Sequence, residues 1–242
     1  MKLMTLNIWG AHVNDALLAF IQQSQDIDIF CFQEVYHNAR QKVSTEDRWH
    51  NLNIYAEIAA TLPHHQGLFR PVVDNIYGLA IFIRKDLELV AEGVVTIHDN
   101  PDYPGAGPSH KRILQWIEYR STDQIYSILN VHGLWNGKGK TDSPERITQS
   151  KRIRAFMDTV KGPKIICGDF NLTPETESLQ ILAEGMNNLI KTYQVNSTRT
   201  SLYPKAEKFA DYVFTSPEIT VNAFQVLPVE VSDHAPLLLD FS

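Results

Sequence analysis

The sequence predicts an α/β (α+β) chain in which sheets pack on one another and helices cover the outside. Strand-like runs outnumber helical ones. The middle third is a succession of strands with short connections, which excludes a regular βαβ barrel. At 242 residues and 43% apolar, the chain suffices for one large domain over 1–242 with a full core.

Met1–Ile8 reads as a buried strand ending in Asn7-Ile8-Trp9-Gly10. Asn14-Asp15 opens a helix with Leu17, Leu18 and Ile21 at helical spacing. Ile27–Phe32 is a second apolar strand, running out through Gln33-Glu34-Val35. A helix is expected from about Asp47 to Leu62, its apolar stripe supplied by Leu52, Ile54, Tyr55, Ile58 and Ala59. Strands follow at Leu68–Val73, Tyr77–Arg84 and Leu87–Ile97. After the Pro/Gly-rich loop Asp99–Ser109 they resume at Arg112–Tyr119 and Gln124–His132. Beyond a second loop, Gly133–Ser143, the run Ser143-Pro144-Glu145 starts a helix reaching about Lys161, with Ser as N-cap and Pro at the first helical position. The strand containing Ile165–Gly168, a short helix at Glu177–Ala183, and strands at Ala210–Thr215, Ile219–Val226 and Leu237–Phe241 complete the chain. There is no internal repeat and no low-complexity segment.

Composition narrows the functional classes. A formal charge of −6 argues against coating duplex nucleic acid by charge alone, yet leaves room for a local basic cleft or for carboxylates neutralised by a divalent ion. Cys31 and Cys167, each within an apolar run, read as reduced buried thiols. The N-terminus enters a strand at once, and no apolar run approaches the ~20 residues of a membrane span. A cytoplasmic location is therefore expected.

The chemically suggestive stretch is Ile165-Ile166-Cys167-Gly168-Asp169-Phe170-Asn171. Alternation in an extended segment puts Asp169 and Asn171 on one face. A carboxylate that holds a metal or aligns water, beside an amide that orients an anion, suits phosphoester hydrolysis. Asn7, Glu34 and Asp233-His234 stand at the ends of other expected strands, which suits a cleft along one edge of a sandwich. Taken singly, each has a plainer reading: Asp169, Asn171 and Asp233-His234 serve turns well, Glu34 could be a surface charge, and His132 a loop histidine.

Thr5-Leu6-Asn7-Ile8-Trp9, Gln33-Glu34-Val35, Asn130-Val131-His132-Gly133, Gly168-Asp169-Phe170-Asn171, Ala210-Asp211-Tyr212-Val213-Phe214 and Ser232-Asp233-His234-Ala235-Pro236 occur in the order seen in the endonuclease/exonuclease/phosphatase superfamily. On these motifs, spread from residue 5 to 236, the chain resembles members of the deoxyribonuclease I-like fold. The resemblance implies a four-layered sandwich of two mostly antiparallel sheets flanked by helices. It also implies Mg²⁺- or Mn²⁺-dependent cleavage of a phosphoester. Glu34 is then the first metal ligand, with Asn7 and Asp233 completing or orienting the site. Asp169 positions and deprotonates the attacking water, and Asn171 holds it or a phosphate oxygen. His234 contacts the phosphoryl oxygens or stabilises the pentacovalent state, paired with Asp211, and His132 is an acid toward the leaving oxygen or a phosphate ligand.

The same comparison bears on subfamily. Abasic-site endonucleases usually carry tyrosine where His132 stands, so that subfamily is disfavoured. Histidine there is similar to deoxyribonuclease I, deadenylases, sphingomyelinases and various phosphatases. Where deoxyribonuclease I relatives pair that histidine with a carboxylate, this chain offers Tyr77, with Asp74 nearby. Arg112 fits a phosphate-contacting position or is a solvated strand-end charge. Trp135 and Tyr103 are candidates for stacking on a base or ring, or for packing under their loops. Arg199 and Lys208 are weaker candidates for phosphate contact. Basic residues from Lys138 to Lys164 read as a solvated helix face rather than a phosphate track, and Gly137-Lys138-Gly139-Lys140-Thr141 does not meet the spacing of a phosphate-binding loop. The substrate expected is a phosphodiester, single-stranded or duplex nucleic acid included. The rivals are a phosphomonoester, a phospholipid or inositol phosphate, and a binding module without turnover. No protein partner is evident.

Overall fold

The computed structural model describes residues 1–40, 49–105 and 107–242. Two adjacent strands establish its layering. β1 (Lys2–Asn7) and β2 (Ile29–Tyr36) run parallel, with Leu3 opposite Ile29 and Asn7 opposite Gln33. Their side chains alternate between two buried clusters, Leu3, Ile29 and Cys31 on one face, Met4, Leu6, Phe30 and Phe32 on the other. A sheet buried on both faces requires a layer on each side. Outside lie α1 (Asn14–Gln23), through Leu17 and Ile21, and α2 (Ile54–Thr61), through Ile54 and Ile58. Inside lies the second sheet.

The remaining elements are β3 (His65–Val73), β4 (Tyr77–Arg84), β5 (Glu88–His98), β6 (Arg112–Ser121), β7 (Gln124–His132), α3 (Pro144–Thr159), β8 (Lys164–Asp169), α4 (Glu177–Ala183), β9 (Asn187–Asn188), α5 (Leu189–Thr192), β10 (Asp211–Thr215), β11 (Val221–Val226) and β12 (Leu237–Phe241). The first sheet has the order β11-β12-β1-β2-β4-β3 and the second β5-β6-β7-β8-β10-β9. Both are antiparallel except at β1–β2 and β7–β8. Among the described residues the fold is thus two six-stranded sheets flanked by helices, as expected.

Near one edge the two sheets are tied by buried polar bonds. Gln33 on β2 donates its amide N–H to Asn130 Oδ1 on β7 (2.7 Å), and Asn130 Nδ2 returns a bond to the Phe32 carbonyl (3.1 Å). Gln115 on β6 donates to the Leu68 carbonyl of β3 at 2.7 Å.

Several boundaries differ from expectation for local reasons. The second helix begins at Ile54; Asp47 and Arg48 lie outside the described residues, and Asn51 and Asn53 hold a turn instead. Asn51 Oδ1 accepts the Asn53 N–H, and its Nδ2 donates to Asn14 and Glu57, the side-chain competition that makes Asn a poor helix-interior residue. The third helix ends at Thr159 rather than Lys161 because Val160 turns extended before Gly162. Its start is as the sequence indicated, with Ser143 Oγ accepting the Arg146 N–H. β9, α5 and a 3₁₀ turn at Trp9–Ala11 were not anticipated; each is too short for periodicity to register. No helix among the described residues is long and apolar enough to cross a membrane.

Candidate active site

Strand register assembles the site. On the second sheet His132 pairs with Asp169 across β7–β8, and Asp169 pairs with Asp211 across β8–β10, so the three lie on one rung. Gly168 makes this possible: its φ is +132°, and a Cβ there would sit 2.1 Å from the Val131 carbonyl oxygen. Facing that rung from the first sheet is Glu34, whose φ of +60° coincides with a register shift in the β2–β4 pairing between Phe32 and Val35. The irregularity re-aims one side chain toward the cleft at the expense of backbone strain.

Asp169 is the hub and is 1% exposed. Its Oδ1 accepts the Asn171 N–H (2.8 Å) and its Oδ2 accepts from Asn7 Nδ2 (2.9 Å). Asn7 also donates to Glu34 Oε1 (3.0 Å), while its own Oδ1 accepts the Trp9 N–H (3.0 Å). Asn7 therefore bridges the two acids. His132 Nε2 lies 3.7 Å from both Glu34 Oε1 and Asp169 Oδ2, and His234 Nε2 lies 3.7 Å from the same Asp169 oxygen. Behind His234, Asp211 accepts from Nδ1 at 2.8 Å, and Thr198 Oγ1 donates to Asp211 Oδ2 at 3.0 Å.

These groups have unlike electrostatic environments. Burial, the largest influence, disfavours a charged His234, yet the Asp211 and Asp169 carboxylates together outweigh it and the pKa is raised above 6.5. Burial acts on His132 in the same sense, Arg112 adds to it, and the pKa falls well below 6.5, so this imidazole stays neutral. Burial also works against the Asp169 carboxylate, but His234, Lys140 and Arg199 help to hold it below the ordinary range. Glu34 is raised by burial, only partly offset by the Asn7 bond. A carboxylate so destabilised gains from a nearby cation.

Among the described residues, donor atoms within 4.8 Å of one another form two groups, Glu34–His132–Asp169 and Asp169–Asp211–His234. Glu34 belongs to the first group, whereas Asp233 belongs to neither, and its Oδ2 accepts from Arg199 Nη1 at 3.0 Å. The hard oxygens of Glu34 and Asp169 fit a small divalent ion of the Mg²⁺ or Mn²⁺ type.

A cavity of about 470 Å³ opens over this cluster. Of the residues singled out in the sequence, Glu34, Tyr77, Arg112, His132, Trp135, Asp169, Asn171, Asp233 and His234 line it. Asn7 and Asp211 stand behind the lining. Tyr103 and Lys208 are not part of it; the Tyr103 hydroxyl donates instead to the Gly107 carbonyl. Tyr77 packs edge-on against His110 at 5.6 Å. Arg112 is buried rather than solvated: Nη2 donates to the Pro108 carbonyl (3.0 Å), while Nε and Nη1 have no partner among the described residues.

Sequence reasoning missed Lys140, Tyr203, Trp9, His110 and Lys205 and gave Arg199 little weight, yet all line the cavity. Lys140 was visible only as part of a Gly-Lys-Gly-Lys loop, which says nothing of the direction in which it points. Burial lowers its pKa, and its Nζ has no hydrogen-bond partner among the described residues. The solvated-face reading of the basic stretch also fails at Arg146, which is 1% exposed and bonded to loop carbonyls.

No curated protein sequence matches the chain. Solved structures do, at identities that show the fold alone. An endonuclease/exonuclease/phosphatase family protein from Bacteroides thetaiotaomicron is similar at 20% identity and TM-score 0.78, covering 100% of this chain and 97% of that one. A mannosyl-6-phosphatase from the same organism is similar at 21% and 0.77, covering 100% and 99%. The human Nocturnin catalytic domain is similar at 18% and 0.68, covering 100% and 93%. The model of the endonuclease/exonuclease/phosphatase family matches residues 4–234, from β1 through His234, and the chain belongs to that family.

Proposed function

We propose that this chain, working as one domain over 1–242, is a divalent-metal-dependent phosphoester hydrolase in which water attacks the phosphorus in line. One observation carries the reading: Asn7, His132 and His234 converge on a single buried oxygen, Asp169 Oδ2, at 2.9, 3.7 and 3.7 Å, with Glu34 alongside. Glu34 and Asp169 would hold the ion, which supplies positive charge against the non-bridging oxygens. Asp169 orients the attacking water. Its low pKa makes it a weak base, which suffices because the nucleophile in phosphoryl transfer need not be fully deprotonated early. Asn171 restrains the Asp169 carboxylate through its N–H. His234, whose protonated form Asp211 favours, donates to a phosphoryl oxygen as charge builds there. Neutral His132 contributes an N–H toward the same group. Trp135, Tyr77 and Arg112 contact the rest of the substrate.

The preferred substrate is a phosphodiester, a nucleotide or the end of a nucleic acid strand, because a cavity of about 470 Å³ accommodates a terminal unit rather than a duplex. A second reading, a phosphomonoester, is favoured by the unpaired buried charge of Lys140. The family similarity to a mannosyl-6-phosphatase agrees with it. Cytoplasmic action on such a substrate fits the reduced thiols of Cys31 and Cys167.

The test is hydrolysis of bis-p-nitrophenyl phosphate and p-nitrophenyl phosphate with Mg²⁺ or Mn²⁺ and with EDTA. The wild type should turn over at least one ester, EDTA should abolish this, and Asp169→Ala or His234→Ala should lower kcat by about 10²–10⁴-fold. Activity that survives EDTA, or variants that match the wild type, would overturn the assignment. Glu34→Gln should raise the Mn²⁺ concentration needed for half-activity.

A further inference from the structure

The loop 133–143 between β7 and α3 is held by an arginine that belongs to the core. Arg146 donates from Nε to the Leu134 carbonyl (3.2 Å), from Nη2 to the Gly139 carbonyl (2.7 Å) and from Nη1 to the Thr141 carbonyl. The Lys140 carbonyl is fastened separately, accepting the Thr173 N–H at 2.9 Å. The carbonyls of Gly139, Lys140 and Thr141 are thus all occupied, and the Lys140 side chain lines the cavity. There it is 3% exposed, with Nζ 5.3 Å from the Tyr203 ring centroid. No carboxylate lies within 4.0 Å of Nζ among the described residues, although Asp169, Asp211 and Asp233 act on it through space and Arg199 opposes them.

Such an arrangement destabilises the fold by itself. A buried ammonium without an acceptor forfeits its hydration and gains no hydrogen bond in return, and the Tyr203 ring beneath it offsets only part of that cost. A loop braced by three arginine bonds could have presented Lys140 to solvent, as it does Lys138. Its inward position is explained by an anion that supplies the missing acceptors. The nearest carboxylates are already engaged, Asp169 by Asn7 and the Asn171 N–H, Asp211 by His234 and Thr198, Asp233 by Arg199. The acceptor must come from outside the chain. Beside the Lys140 ammonium and the Arg199 guanidinium, both of which lie over the Tyr203 ring, it would be small and doubly charged, since a single charge is already matched by His234.

We infer that Lys140 is an anion-binding residue of this site, holding the terminal phosphate dianion of a substrate or product. The reading of the cavity as a phosphoester site guides the choice of ligand, but binding is measurable without turnover. The dianion has two sources, the scissile group of a monoester or a terminal phosphate next to the scissile bond, and the experiment separates them.

Inorganic phosphate is titrated calorimetrically into wild type, Lys140→Met and Lys140→Arg, each with EDTA. Lys140→Met should bind phosphate about 10- to 100-fold more weakly, as expected for loss of a charged hydrogen bond, and Lys140→Arg should recover part of the affinity. Because the methionine removes an uncompensated charge, its Tm should equal or exceed that of the wild type. A merely structural lysine would give the opposite sign. Turnover then assigns the source. A loss in kcat/KM confined to p-nitrophenyl phosphate identifies the scissile group. A loss confined to the p-nitrophenyl ester of a 5′-phosphorylated thymidine 3′-phosphate identifies the neighbouring phosphate. Equal phosphate affinity in wild type and Lys140→Met, an equal loss on bis-p-nitrophenyl phosphate, or a lowered Tm with unchanged phosphate binding overturns the inference. Absence of turnover on every ester, with phosphate binding still lost in Lys140→Met, would refute the hydrolase reading and leave the subsite standing.

Discussion

His234 and Asp211 show how much one contact decides. The imidazole is 4% exposed, an environment that favours the neutral ring, and the charge and bond of Asp211, with the charge of Asp169, reverse that preference. Catalysis that needs the imidazolium should fall as pH rises through the elevated pKa. Asp211→Asn should move this alkaline limb of kcat/KM to lower pH, and a limb that stays in place would separate it from His234. Both residues were legible in the sequence because each sits in a motif. Lys140 and Arg146 were not: a lysine in a glycine-rich loop and an arginine on a helix have the same composition whether they face water or the core. Only the carbonyls arranged around Arg146 decide it.

Among elements, the important pairing is between sheets. Gln33 precedes Glu34, and Asn130 lies two residues before His132 on the same strand face, so the bond between them fixes the separation of the two halves of the site. Both were quoted within motifs, but their role could not be seen from one dimension. Asn130→Ala strips Gln33 Nε2 of one acceptor in the core and should cost about 1–3 kcal/mol in urea unfolding. If this bond fixes the separation of the two halves, kcat must also fall in the folded variant; full activity at reduced stability would make the bond purely structural. Gly168→Ala is expected to be more severe, because the new methyl meets backbone rather than a movable side chain. The strand and helix cores were readable from alternation and spacing. Their ends followed local bonds, as at Asn51, and β9 with α5 is shorter than any period.

At the scale of the molecule, pH should act on stability from two sides. His65 and His110 are held neutral, chiefly by burial, the latter pushed down to about 3. For both, the unfolded chain binds more protons below ~6.5, so stability is complete above that value and declines as pH falls through it. His234 has the opposite sign: its contribution is full below ~6.5 and is lost as pH rises through its raised folded value. Unfolding free energy should therefore peak near neutrality. Replacing His65 by Asn and His110 by Gln should flatten the decline toward pH 5; an unchanged slope would count against buried neutral imidazoles as its cause.

The order of residues was enough to establish the layered architecture, since strands apolar on both faces, such as Ile29–Phe32 and Ile165–Cys167, can be buried only between two further layers. It also determined which acids and histidines stand at strand ends, since a motif places a residue along its own strand. What it left undecided was everything that depends on one strand lying beside or across from another. The rung of His132, Asp169 and Asp211, the turn of Glu34 toward it, the diversion of Asp233 to Arg199 and the inward Lys140 all arise from register and loop bracing. Those are relations between distant segments, and hydrogen bonds made only on folding establish them.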